Sequence, residues 1–493
     1  MRRVILGYIP ANVIPALVSI AGIYMFTRLL STQAFGTYNL AFSVVMVAQS
    51  LLFFAPNLAI TRFYAAAEQG AGIDGFLKTT YVLFLAIAAA AVLIGFGTIF
   101  VLDHTGVGHG LGDSAALLVP LLLLRALVAT NQTINRAAGR MARFNVIECL
   151  QAVLGLAVGL ALVIAGYRTG AAVMAGLIAG AAASAAIDVR LAFGPRGRAT
   201  IDRELLRQTL GFCWPLVLAF AVSCSLQYAD RFLVNAYGGA SALGIYVVAF
   251  SLVDRPITLI CMSITAGTFP MAVEAFVRDG PEAGRIQAGR NGAVLLALTL
   301  PACLGLMLTS KSVAAVLVGP SYHDGVALLI PIMAATALLR GVGAHYVDHA
   351  FHLANRSFRL FAVYAPSAIG NILLSALLVP RHGMIAAAYG ALACQTVAII
   401  AGWLAARRVL PLWLPARDMV RIAICLAVMA ATLTAVTLPV GWIGLVGGVA
   451  LGLASYGGCA IALDLGGLRR FPSRHRRVAA APDNPPTVPA CQT

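Results

Sequence analysis

Residues 36–45, GTYNLAFSVV, return at residues 244–253 as GIYVVAFSLV, with six of ten positions identical. The agreement extends on both sides. Upstream, Thr27-Arg28-Leu29-Leu30 corresponds to Asp230-Arg231-Phe232-Leu233, and Leu6-Gly7-Tyr8 to Leu210-Gly211-Phe212. Downstream, Leu117-Leu118-Val119-Pro120 corresponds to Leu328-Leu329-Ile330-Pro331. Chance likeness among apolar segments does not reproduce glycine, arginine, tyrosine and proline landmarks in one order. The chain therefore repeats itself after roughly 205 residues.

The repeat is carried on apolar segments. The 493 residues are 60% hydrophobic and only 11% charged. A transmembrane helix needs about 20 apolar residues, and fourteen such stretches can be read. They are 5–26, 37–67, 79–102, 115–138, 145–166, 171–193, 209–236, 242–276, 291–316, 325–353, 359–380, 384–406, 418–439 and 441–464. Backbone polar groups in lipid must be satisfied internally, so the expected fold class is all-α, a polytopic bundle of about fourteen helices. The first stretch follows Arg2 and Arg3 and reads as a retained signal anchor. Six spans separate the copies, an even number, so they have the same orientation, as in parallel repeats about the membrane normal. The expected organisation is a six-helix lobe at 1–193, a cytoplasmic linker at 194–208 and a second lobe at 209–406. Two further helices at 407–464 and a basic, Pro-rich tail at 465–493 complete it.

The formal charge of +16 is a topology signal, not a nucleic-acid signal. With the N-terminus inside, about 25 of the 34 Lys and Arg fall on cytoplasmic ends and loops, and about four outside. Both termini are thus expected in the cytoplasm. The cysteines lie mostly within spans and form no CxxC pair, so no disulfide or metal cluster is expected.

Charges inside spans carry the functional signal, because a charge near the bilayer centre usually faces a hydrated cavity or a partner. Arg125, Arg255 and Arg340 lie centrally in spans four, eight and ten, and Arg62 nearer one end of span two. Guanidinium forks pair with phosphate oxygens, so an anionic guest is expected, with Gln132 and Asn135 on the polar stripe of span four. Asp230, Arg231, Asp254, His345, Asp348 and His349 are the candidate ion-coupling or cavity residues. For Arg28 and Arg231, near outer helix ends, a structural role is the heavier reading. The pattern H-x-x-D-H-x-x-H at 345–352 has metal-ligand spacing, but a hydrated cavity wall is the preferred reading. Asp254-Arg255-Pro256 suggests a hinge, since proline removes a helical hydrogen bond. Contact with anionic membrane lipids is expected of the arginines in the tail.

The segments TRLLSTQAFGTYNLAFSVV (27–45), NLAITRFYA (57–65), ADRFLV (229–234) and GIYVVAFSLVDR (244–255) resemble the polysaccharide-transport family of Wzx-type oligosaccharide flippases. That family lies within the multidrug/oligosaccharidyl-lipid/polysaccharide exporter superfamily. The resemblance covers most of residues 1–406. It implies a flippase moving polyprenyl-pyrophosphate-linked oligosaccharide across the bacterial cytoplasmic membrane for exopolysaccharide, O-antigen or capsule synthesis. It also implies a polysaccharide polymerase and co-polymerase as candidate partners. Many members have twelve spans; fourteen is closer to the lipid II flippases of the superfamily.

Other classes fit less well. Neither Lys78 nor Lys311 follows a glycine, so no GxxxxGK[ST] phosphate loop exists. A proton or sodium gradient, the membrane potential, or consumption of product on the far side is the candidate energy source, and a coupling ion, proton or sodium, is the one candidate cofactor. A multidrug exporter of cations would be opposed by arginines in its path. A membrane glycan enzyme usually needs a large external loop, and none exceeds about a dozen residues. The chain is not expected to be an enzyme.

Overall fold

The computed structural model describes residues 2–69, 72–105, 112–193, 203–356 and 359–465. Among these residues the chain is all-α. The first copy of the repeat holds α1 (Arg2–Leu29), α2 (Thr32–Leu52), α3 (Phe54–Gln69), α4 (Ile73–Thr105), α5 (Leu118–Ala137), α6 (Met141–Ile164), α7 (Gly170–Ile187) and α8 (Val189–Phe193). The second holds α9 (Arg203–Asp279), α10 (Pro281–Leu308), α11 (Ser310–Leu317), α12 (His323–Val342), α13 (Asp348–Leu353) and α14 (Arg359–Ala406). Helices α15 (Ala416–Ala435) and α16 (Trp442–Ala462) follow.

Eleven stretches among the described residues are long and apolar enough to cross a membrane. Two of them are folded back on themselves. The 77 residues of α9 would extend roughly 115 Å as one rod, far beyond a hydrocarbon core of about 30 Å. Gly239, at φ 75° and ψ 175°, breaks it, and Gly383, at φ 66° and ψ −155°, breaks α14. Only glycine adopts such dihedrals without steric cost. Dividing both there, and counting α1 with its apolar Val13–Leu29 stretch, yields the fourteen passes expected from hydropathy.

Several expected boundaries move. Span two begins earlier, at Thr32, because the Ser31 side chain caps α2 by accepting from the Ala34 N–H at 3.1 Å. It also breaks at Phe53, where Pro56 cannot continue the hydrogen-bond ladder of α2. Residues 203–208 of the expected linker already belong to α9; 194–202, and 466–493 of the expected tail, lie outside the described residues. In contrast, α9 keeps helical dihedrals through Pro256, its non-helical residue being Gly239. The irregularity near the charges lies instead in span ten, a π-helical turn over Gly343–Val347.

The repeat landmarks meet each other. A Cβ on Gly36 would stand 1.7 Å from the Ala240 carbonyl oxygen, and one on Gly244 would stand 2.5 Å from that of Thr32. Thus α2 and the second half of α9 cross backbone to backbone. Thr32 and Ser241 hydroxyls lie 2.9 Å apart beside the crossing. At the same end Arg28 Nη2 donates to the Val316 carbonyl at 2.8 Å, and the Gly319 N–H to Thr27 Oγ1 at 3.0 Å. The core is continuous here, with Phe26, Leu30 and Phe35 packed among Leu243, Val318 and Tyr322. At this end the two copies form one closed seam.

Candidate functional site

The second copy holds a partly open cavity of about 410 Å³ between α9, α12, the π turn, α13 and α14. Asp230, Arg231, Asp254, Arg340 and Asp348 all line it, with Tyr246, Phe250, Tyr364, Asn371 and Gln395. Asp230 is 6% exposed and fully engaged. Its Oδ1 accepts from Asn371 Nδ2 at 2.8 Å and Ser375 Oγ at 3.1 Å, and its Oδ2 from Tyr246 O–H at 3.3 Å. Asn371 Oδ1 is buried and has no hydrogen-bond partner, so an unspent acceptor stands beside a carboxylate. Arg340 forms an ion pair with Asp254, and Asp348 Oδ1 accepts from Tyr364 O–H at 2.7 Å.

A second group of charges gathers where the copies face each other. Arg231 reaches across to α2, its Nη1 donating to Ser43 Oγ at 3.2 Å. Arg255, one residue beyond Asp254, is exposed and does not line the cavity. Arg125 is half-buried on α5, with its Nε 3.4 Å from Gln49 Oε1. Among the described residues no carboxylate forms an ion pair with Arg125, Arg231 or Arg255. Arg125 and Arg231 thus both meet α2, at Gln49 and at Ser43, and guanidinium groups without an ion-pair partner suit an anionic guest.

The repeat explains why one arginine is paired and another is not. Phe42 and Phe250 are equivalent positions of the two copies. Arg125 stands 5.3 Å from the Phe42 ring centroid, and Arg340 stands 5.3 Å from that of Phe250. Each copy thus sets an arginine of its fourth span against the phenylalanine of its second span. Only the second copy adds a carboxylate, since Met46 occupies the position equivalent to Asp254.

The remaining sequence candidates lie elsewhere. Gln132 and Asn135 are buried in the first copy, at 2% and 0% exposure. Gln132 Nε2 donates to the Phe144 carbonyl at 2.9 Å and Glu148 Oε1 at 3.1 Å. Asn135 Nδ2 donates to Asp188 Oδ2 at 2.8 Å, while Arg143 pairs with Asp188 at 2.5 Å. This network ties α5 to α6 and α7. Arg62 is exposed on α3 and stacks on Phe63. His345 and His349 turn toward α9: His345 Nδ1 lies 2.8 Å from Thr265 Oγ1, and His349 stacks on Phe269 at 4.4 Å. Asp348, one residue before His349 on α13, faces the cavity instead.

Sequence reasoning passed over Asn371, Ser375, Tyr364 and Gln395, because a search for charges skips neutral polar groups. Asn371 and Ser375 do carry a signal: they stand at i and i+4 on one face of an otherwise apolar span. Phe42 and Phe250 were visible as repeat landmarks, but not as partners of the arginines.

Comparison with known proteins follows the same lines. Residues 25–327 match the family described as Polysaccharide biosynthesis protein. Over 183 residues the chain is 25% identical to the probable flippase AglR of Haloferax volcanii; that match spans 36% of this chain and 37% of that protein's length. The solved lipid II flippase MurJ, in an inward closed conformation, superposes with a TM-score of 0.76 at 14% identity, covering 93% of this chain and 99% of that one. An inward-facing multidrug transporter of the MATE family, in the MOP superfamily, superposes with a TM-score of 0.61 at 16% identity, covering 80% and 94%. At these identities the structural likenesses establish the fold alone.

Proposed function

The chain belongs to the family of polysaccharide biosynthesis proteins, and from that membership we propose that it flips a polyprenyl-diphosphate-linked oligosaccharide across a bacterial cytoplasmic membrane. The observation that carries this reading is the inter-lobe group of Arg125, Arg231 and Arg255, with which no carboxylate among the described residues pairs. A diphosphate offers the complementary charge, and guanidinium forks suit its oxygens. A cationic drug would be repelled there, which disfavours the multidrug alternative. Alternating access parts and recloses the Gly36–Gly244 seam as the lobes rock, exposing the arginines first to one leaflet and then to the other. The product then emerges on the outer face, where a polymerase and co-polymerase would use it.

Coupling is assigned to Asp230. Its carboxylate, held by Asn371, Ser375 and Tyr246 beside the unpaired Asn371 Oδ1, offers a proton or a sodium ion a ready-made seat. Asp230→Asn should abolish the response of flipping to an imposed proton or sodium gradient. An unchanged response to both gradients would remove Asp230 from coupling.

The reading is tested in proteoliposomes by following a labelled polyprenyl-diphosphate-linked sugar between leaflets. Movement of lipid II in preference to oligosaccharide-bearing lipids would replace the proposed substrate, and movement of organic cations alone would overturn the anionic site. Orientation is tested separately. The arginine asymmetry puts both termini inside, so reporter fusions at residues 110 and 480 should report opposite sides. The same side for both would defeat that topology.

A further inference from the structure

The cavity inside the second lobe adjoins the proposed diphosphate site through one residue. Arg231 lines the cavity and also reaches Ser43 of the first lobe, among the inter-lobe arginines. Phe250 lies at the same boundary, with Arg231 5.2 Å and Arg340 5.3 Å from its ring centroid. A sugar joined directly to a diphosphate must lie next to the groups that hold the diphosphate. We propose that this cavity is the sugar subsite of the flippase, taking the ring nearest the diphosphate while Arg125, Arg231 and Arg255 hold the phosphates. The proposal rests on the anion reading above.

The chemistry of the walls supports a neutral, many-hydroxyl guest. Asp254 and Arg340 neutralise each other, and Asp348 is held by Tyr364. Asp348 keeps further acceptor capacity, Gln395 presents both donors and an acceptor, and Thr258, whose hydroxyl donates to Asp254 Oδ1 at 3.4 Å, keeps an acceptor. Hydroxyl and acetamido groups need such a mixture. A prenyl chain would instead bury these polar atoms without partners, which is costly. Phe250 and Tyr364 add ring faces against which a pyranose can lie. The volume, about 410 Å³, is within the roughly 300–1,000 Å³ usual for small-ligand pockets. The seat of Asp230, Asn371 and Ser375 leaves the part of the cavity between Asp254, Asp348 and Gln395 to the sugar.

The test uses full-length protein in nanodiscs and two probes: bare polyprenyl diphosphate, and the same lipid bearing one N-acetylhexosamine. In the wild type the sugar should tighten binding by roughly tenfold, the worth of one or two added hydrogen bonds. Gln395→Leu and Asp348→Asn should each remove most of that gain and leave the affinity for the bare lipid unchanged. Melting temperatures establish that each variant is folded; if Asp348→Asn is not, Thr258→Val replaces it. Equal affinity of the wild type for both probes overturns the sugar subsite, as does equal weakening of both probes by the variants. So does an Asp348→Asn protein that loses its ion dependence but keeps the sugar gain. If bare diphosphate fails to bind folded wild type, the anion reading falls first, and the subsite with it.

Discussion

Arg125→Ala and Arg255→Ala are each expected to weaken binding of the lipid-linked diphosphate by roughly ten- to hundredfold while the protein stays folded. One charge-assisted contact contributes about 1.5–3 kcal/mol, which sets that range. Lysine should rescue only in part, because it keeps the charge but loses the planar fork. Arg340→Ala should behave differently. Its guanidinium neutralises Asp254, and removing one partner of a partly buried pair leaves a charge uncompensated. That variant should lose folded protein, and Arg340→Ala/Asp254→Ala should recover it. The measurements are affinity for bare polyprenyl diphosphate, melting temperature, and accumulation of lipid-linked oligosaccharide on the inner leaflet in cells. Normal export by folded Arg125→Ala and Arg255→Ala proteins would defeat the anionic site. Misfolding of those two, with rescue by a second charge change, would make them structural instead.

The contrast between Arg125 and Arg340 shows what the sequence could and could not convey. Hydropathy exposed the fourteen passes because lipid permits few alternatives to helices. The repeat exposed the paired helices because its landmarks survive in order. Both signals are local, or are comparisons along one chain. The site is neither. Whether an arginine meets a carboxylate depends on helix rotation and crossing, and at Asp254 and Arg255 a step of one residue turns the side chain by about 100°. That step sends Asp254 to Arg340 inside the lobe and leaves Arg255 exposed, outside the cavity. Gln132 and Asn135 shared a stripe with Arg125, yet the packing of α5 on α6 and α7 drew them toward Glu148 and Asp188. The π turn at Gly343–Val347 had no proline to announce it, and it lies between Arg340 and Asp348, two of the cavity-lining charges.

Gly36→Leu is expected to open the seam between the lobes and stop net flipping. At this position a Cβ would lie 1.7 Å from the Ala240 carbonyl oxygen. A backbone oxygen cannot rotate aside as a side chain can, so the helices themselves must separate. Overpacking costs about 1–3 kcal/mol, which moves the balance between closed and open seams by roughly 5- to 150-fold. The neighbouring hydroxyls supply a direct readout. Thr32 and Ser241 oxygens are 2.9 Å apart, so Thr32→Cys/Ser241→Cys, in a background without the native cysteines, should cross-link readily on oxidation. The cross-link should halt flipping, and reduction should restore it, because the seam must part for substrate to leave on that side. Adding Gly36→Leu to this pair should lower the cross-linking yield in proportion to the shifted balance. Efficient cross-linking despite the Gly36→Leu substitution, or full flipping by the oxidised pair, would show that the seam does not open during transport. The lobes would then have to part elsewhere, and the opening proposed at Gly36 and Gly244 would be wrong.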